Sequence, residues 1–329
     1  MDGREPRRAN LSERDRSQPE TMTNAQANVQ SEGTSYVASA ARDASPLPGA
    51  FDVAGAYEFC ARLAKSHYEN FTVASWLMPR EMRPHMYAIY AYARMADDFA
   101  DEHHDLAMLD EWERELDLAY AGTPRHPVFI ALADTVHRFE IPREPFQDLL
   151  TAFRSDVDFK GFDTLDDLLG YSRYSANPVG RLVLYLFGYR DAERQHLSDL
   201  VCSGLQLANF WQDVAVDLGK GRIYLPRHDM ERFGVTPADL AAHTSSREFV
   251  DLMRHEAGVA RAMLAEGGEL HKCVDKRLRR DIVMFAGGGL AIIRAIDRVN
   301  YDVFRMRPEL AKLDYLKLGW SALRGRLEV

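Results

Sequence analysis

Residues 205–217 read LQLANFWQDVAVD, and Gln206, Asn209, Asp213 and Asp217 recur within them at steps of three, four and four. Only an α-helix brings side chains at that spacing onto one face. Leu205, Phe210, Trp211 and Val214 point in other directions, and a helix apolar around most of its circumference is buried. Because a buried, unpaired carboxylate is unfavourable, the polar stripe must face an internal cavity, a partner charge or ions.

A second acidic face has the same geometry. Arg94-Met95-Ala96-Asp97-Asp98-Phe99-Ala100-Asp101-Glu102 closes an apolar helical segment that begins near Glu81. Asp97 and Asp101 lie four apart, with Cβ atoms ~6 Å from each other on one face, and Arg94 lies one turn earlier. Like charges so placed repel, and bound cations reverse the sign of that interaction. Mg2+ in particular prefers oxygen ligands and takes one or two carboxylates together with substrate phosphates. Asp163 and Asp167 share the spacing, but in the polar, Gly-flanked GFDTLDDLLG they read as helix capping and surface charge. Beyond the second face, GKGRIYLP brings Lys220, Arg222 and Tyr224 just past the helix end, where cations can cover phosphate oxygens or complement the helix dipole.

From Asp52 onward apolar residues recur at three- and four-residue steps (Ala56, Phe59, Cys60 and Leu63; Met86, Ile89, Tyr90 and Ala93), and Gly/Pro clusters such as GTPRHP, EIPREP and FGVTP interrupt them. The expectation is one all-α domain over residues 51–329. Residues 1–50 are polar, with Tyr36 their only aromatic, and read as a disordered tail. AGGGLAIIRAI reads as a core helix packed closely at Gly287 to Gly289.

The net charge of -9 argues against a nucleic-acid partner. Cys60, Cys202 and Cys273 show neither a zinc-ligand spacing nor a disulfide framework. No apolar run is long enough to span a bilayer, and the N-terminus shows no apolar h-region, so no signal peptide is expected. A cytoplasmic protein is expected, with peripheral contact at the inner membrane face left open.

DDFAD (97–101) and NFWQDVAVD (209–217), followed by GRIYLP, resemble the squalene/phytoene synthase family over about residues 52–310. That resemblance implies an all-α class I isoprenoid-synthase fold, with helices around a central apolar cavity and the two acidic faces opposed across its mouth. It further implies that Asp97, Asp98, Asp101, Asn209, Asp213 and Asp217 bind Mg2+. Tyr90, Arg94 and Gln206 would contact diphosphate, joined by Lys220, Arg222, Tyr224 and Tyr171 on the substrate.

The chain departs from the general family pattern at Glu69, Gln212, Val216 and Asn177-Pro178, which implies fewer cations at the site. SHYENFTVASWLMP, MADDFADE and NFWQDVAVD resemble the hydroxysqualene synthase branch of bacterial hopanoid pathways. The implied reaction ionises presqualene diphosphate and captures the cation with water, without NADPH and with a partner synthase upstream. Asp97, Asp101 and Asp213 would assist ionisation, and Glu69 or His67 would take the proton from water. Tyr68, Phe71, Tyr171, Tyr174, Phe210 and Trp211 are candidates to stabilise the cation through their ring faces. The alternatives are a synthase condensing two farnesyl diphosphates and a non-catalytic isoprenoid-binding helical protein. A terpene cyclase fits less well, because the Ser/Thr-then-Glu ligands after Asn209 are missing.

Overall fold

A computed structural model describes residues 51–66, 78–101 and 104–327. Fifteen helices and no strands occur among the described residues. In chain order they begin with α1 (Val53–Ser66), α2 (Arg83–Asp101), α3 (Leu106–Tyr120), α4 (Pro127–Phe139) and α5 (Glu144–Asp156). They continue with α6 (Leu165–Ser175), α7 (Asn177–Leu186), α8 (Ala192–Gln212), α9 (Val214–Gly219) and α10 (Arg227–Phe233). The last five are α11 (Pro237–Ala241), α12 (Arg247–Gly267), α13 (Leu270–Cys273), α14 (Lys276–Arg298) and α15 (Lys312–Arg324).

Helix boundaries follow the punctuation of the sequence. Pro127 opens α4, where His126 caps the first turn by accepting the Val128 N–H on Nδ1 at 3.2 Å. Thr164 and Asp167 form a reciprocal capping box at α6, and Asp163 pairs with Arg227. That aspartate pair is therefore capping and surface charge, as its polar setting predicts.

Two apolar cores organise the helices. In the first, α2 packs against α1, α4 and α5 around Phe59, Tyr92, Phe99, Trp112, Phe129 and Phe146. The Trp112 ring lies 4.5 Å from that of Phe129, and its Nε1 donates to the Tyr92 carbonyl at 3.2 Å. In the second, α8 packs against α12 and α14 around Leu207, Trp211, Phe249, Leu264, Leu290 and Ile293. The close approach expected of the glycine run holds at two of its three positions. A Cβ on Gly289 would lie 2.8 Å from Leu264 Cδ1, and one on Gly287 would lie 2.9 Å from Leu318 Cδ2, whereas Gly288 meets nothing within 4 Å. The C-terminal end of α2 belongs to the first core and that of α8 to the second.

The second face is not one continuous helix. The α8 helix ends at Gln212 and α9 begins at Val214, with Asp213 at the junction (φ −105°, ψ 12°). The helical register survives the break, because Asp213 N–H donates to the Asn209 carbonyl and Asp217 N–H to the Asp213 carbonyl, both at 2.9 Å.

Candidate active site

On α2 the guanidinium of Arg94 lies 2.6 Å from Asp98 and 3.5 Å from Asp97. Asp98 is buried, whereas Asp97 and Asp101 are partly open at the helix end. Tyr90, one turn below Arg94, is half-buried, and burial raises its phenol above its usual range. Arg222 Nη2 donates to Asp101 Oδ1 at 2.9 Å. This contact joins the segment after the second face to the first face across 121 residues of chain.

On the second face Gln206 donates from Nε2 to Ser175 Oγ at 2.9 Å, and Asn209 is exposed. Burial, reinforced by neighbouring Asp213, pushes the Asp217 carboxyl up to about 6. Lys220 is exposed beyond α9. Tyr224 stacks on Phe210 with ring centroids 3.8 Å apart and 10° between planes. Trp211 is fully buried within the second core, so of the aromatic candidates it is a packing residue. His67, Tyr68, Glu69 and Phe71 lie outside the described residues. Asn177 is buried and accepts from Ser203 Oγ at 2.9 Å, which ties α7 to α8.

Two site residues escape a reading of spacing alone. Arg307 donates from Nη2 to Asp213 Oδ2 at 3.0 Å and to Gln212 Oε1 at 3.2 Å, while Gln212 Nε2 donates to the Pro308 carbonyl. The expectation of fewer cations beside the second motif is thereby corrected: a guanidinium arrives from 94 residues downstream and Gln212 orients it. The other residue is Asp156 at the end of α5. Tyr171 Oη donates to Asp156 Oδ2 at 3.1 Å. Burial pushes that carboxyl up to about 7, and Asp101 and Asp97 add to the rise against the opposing effects of Tyr171 and Arg222. Asp156 thus faces the first acidic cluster, and no sequence spacing connects it to that cluster.

Among the described residues, no three His, Cys, Asp or Glu side chains make a ready-made metal cluster. The donors nevertheless fit Mg2+, which shares its shell between one or two carboxylates and a ligand's phosphates. Asp156 and Asp217 are held up by neighbouring carboxylates as well as by burial, and a divalent cation would relieve that surplus negative charge.

Deeper between α2, α7, α8 and α14 lies an apolar cavity of about 210 Å³, bounded by Met86, Val183, Val201, Leu205, Ile282 and Phe285. Ser198, Cys202 and Leu205 continue the face of α8 that carries Gln206 and Asn209, so the cavity extends below the polar stripe. At ~1.5 Å per residue, roughly 16 Å of helix separates Ser198 from Asn209. Asp281 also lines this cavity; it is buried, and neither of its oxygens has a hydrogen-bond partner among the described residues.

Residues 64–314 match the squalene/phytoene synthase family. The chain belongs to this family. Among its relatives, a hydroxysqualene synthase from Sinorhizobium fredii is 35% identical over 262 residues, covering 78% of this chain and 88% of the relative. A phytoene synthase from Arthrospira platensis is 30% identical over 295 residues, covering 82% and 94%. The crystal structure of a squalene synthase from Alicyclobacillus acidocaldarius superposes with a TM-score of 0.74 at 45% identity, covering 76% of this chain and 95% of that one. The fold is that of the class I isoprenoid synthases, with helices around a central apolar cavity. Family members are enzymes that act on prenyl diphosphates.

Proposed function

We propose that this family member converts presqualene diphosphate and water to hydroxysqualene and diphosphate in squalene or hopanoid biosynthesis. The observation that supports the reading is the Arg222–Asp101 contact, which ties the segment after the second acidic face to the first, at the mouth this reading assigns to the diphosphate. A diphosphate at that mouth would meet Arg94, Arg222 and Lys220 as charge develops on the leaving oxygen. Mg2+ held by Asp97, Asp98, Asp101, Asn209, Asp213 and Asp217 would supply Lewis-acid neutralisation of that group. The carbon–oxygen bond breaks with its electron pair on diphosphate, water oxygen bonds to the rearranged cation, and a protein base accepts the released proton. Glu69 or His67 is assigned this role from sequence. Among the described residues, Asp156, whose carboxyl burial pushes up to about 7 beside Asp101 and Asp97, is a further candidate for it. No nicotinamide takes part in this balance.

The likeness to a hydroxysqualene synthase supports this reading. Condensation of two farnesyl diphosphates has its own support in Arg307, which restores a cation beside the second motif, and in the likeness to a phytoene synthase. Incubation with presqualene diphosphate and Mg2+, without a reductant, separates the two. Hydroxysqualene is the expected product; turnover of farnesyl diphosphate alone overturns the proposal. If neither substrate turns over, the non-catalytic reading stands.

A further inference from the structure

The α15 helix is apolar on two opposite sides. Leu318, Ser321 and Ala322 are buried on its inner face, which packs on α14. Leu313, Leu316, Trp320 and Leu323 recur at steps of three, four and three on the outer face, and each is more than half exposed. Of twelve exposed large hydrophobic residues among those described, five, counting Tyr315, belong to this helix. That concentration marks an interaction surface and not the scattered exposure that ordinary surfaces carry.

The charge around the outer stripe is opposite to that of the whole molecule. Residues 312–327 hold Lys312, Lys317, Arg324 and Arg326 against Asp314 alone, in a chain of net charge -9. Arg324 lies 4.5 Å over the Trp320 ring. Beside the helix, a cleft of about 490 Å³ between α14 and α15 contains Arg294, Arg298, Lys317, Asp297 and Asp314. Its acids are already matched: Asp314 pairs with Arg298 at 2.7 Å, and Asp297 pairs with Arg261. Arg294 and Lys317 have no ion-pair partner within 4 Å among the described residues.

We propose that α15 docks the protein on an anionic bilayer surface. The Leu313, Leu316, Trp320 and Leu323 face enters the boundary between headgroups and acyl chains, and Lys317, Arg324, Arg326 and Arg294 meet the lipid phosphates. A bilayer accepts one amphipathic helix to a depth of ~5–10 Å. A stable contact with a second copy needs ~800 Å² on each partner, whereas a stripe on a helix about 20 Å long supplies only a fraction of that. This docking does not depend on which prenyl reaction the site performs.

The test uses the full chain with vesicles of phosphatidylcholine, alone or mixed with phosphatidylglycerol. Cosedimentation and quenching of Trp320 fluorescence by brominated lipid report binding, and Trp320→Phe removes that signal. Binding should require the anionic lipid and weaken at high salt. It should fall at least ~10-fold in Leu316→Asp/Leu323→Asp and in Lys317→Glu/Arg324→Glu. Both double variants should keep the wild-type melting temperature. Equal binding by variants and wild type overturns the proposal, as does no binding by any of them. So does a concentration-dependent dimer that the leucine changes abolish, because a second copy would then cover the stripe. Binding gained only on deletion of residues 1–50 overturns it too, by showing that the tail covers the stripe.

Discussion

Glu115 and Asp156 are acids removed from bulk water in different ways. Glu115 is fully buried and receives Arg125 Nε at 2.8 Å and the N–H groups of Arg125 and His126, both at 3.1 Å. These bonds leave it a structural role. Among the described residues Asp156 receives only the Tyr171 hydroxyl, and Asp101 and Asp97 oppose its ionisation. An arrangement that disfavours the charged form without a cation makes Asp156 a functional candidate. Asp156→Asn is therefore expected to weaken Mg2+ dependence and turnover ~10–100-fold without lowering the melting temperature. A Mg2+ titration of product formation checks this, with calorimetry of Mg2+ and pyrophosphate binding as a readout independent of turnover. Wild-type Mg2+ affinity in the variant would remove Asp156 from the site.

At the scale of elements, the two acidic faces were legible because helical periodicity is local: Asp97 with Asp101, and Gln206 through Asp217, each fit within a few turns. The break at Asp213 was not legible, since the hydrogen bonds that span it preserve the four-residue spacing. Arg307 was hidden for a different reason. It comes from the segment between α14 and α15, and only tertiary packing sets it against α8. Gln212, read from sequence as a lost cation, is the residue that accepts from Arg307 and so helps hold one in place. Arg307→Ala should raise the KM for the diphosphate substrate ~10-fold and destabilise the joint by ~1–3 kcal/mol, because Asp213 and Gln212 lose charge-assisted partners. Arg307→Lys should recover part of the stability but little of the KM, since an ammonium cannot reproduce the two-pronged contact. Steady-state kinetics and denaturant unfolding measure the two effects; an unchanged KM in both variants would make Arg307 a purely structural clamp.

At the scale of the whole molecule, acids without cations give stability a direction in pH. Burial pushes the Asp281 carboxyl up to about 7. Burial, then the neighbouring Asp229, pushes Glu256 up to about 8. Both values lie above those of the unfolded chain, so the folded state keeps protons that the unfolded state releases. Stability should therefore fall as pH rises from about 4 towards 7 for Asp281 and towards 8 for Glu256. The slope is the reverse of that given by salt-bridged carboxylates, whose contribution is lost on acidification. Asp281 has no hydrogen-bond partner among the described residues and faces an apolar cavity, so replacing it by Leu should relieve the penalty and leave the rest of the wall in place. The expected gain is on the order of 2 kcal/mol at pH 8 and close to zero near pH 4. Glu256→Gln should flatten the remaining slope at its alkaline end. Urea unfolding of wild type and both variants across this range reads the difference directly, and parallel pH curves for wild type and Asp281→Leu would show that this carboxyl does not hold its proton in the folded protein.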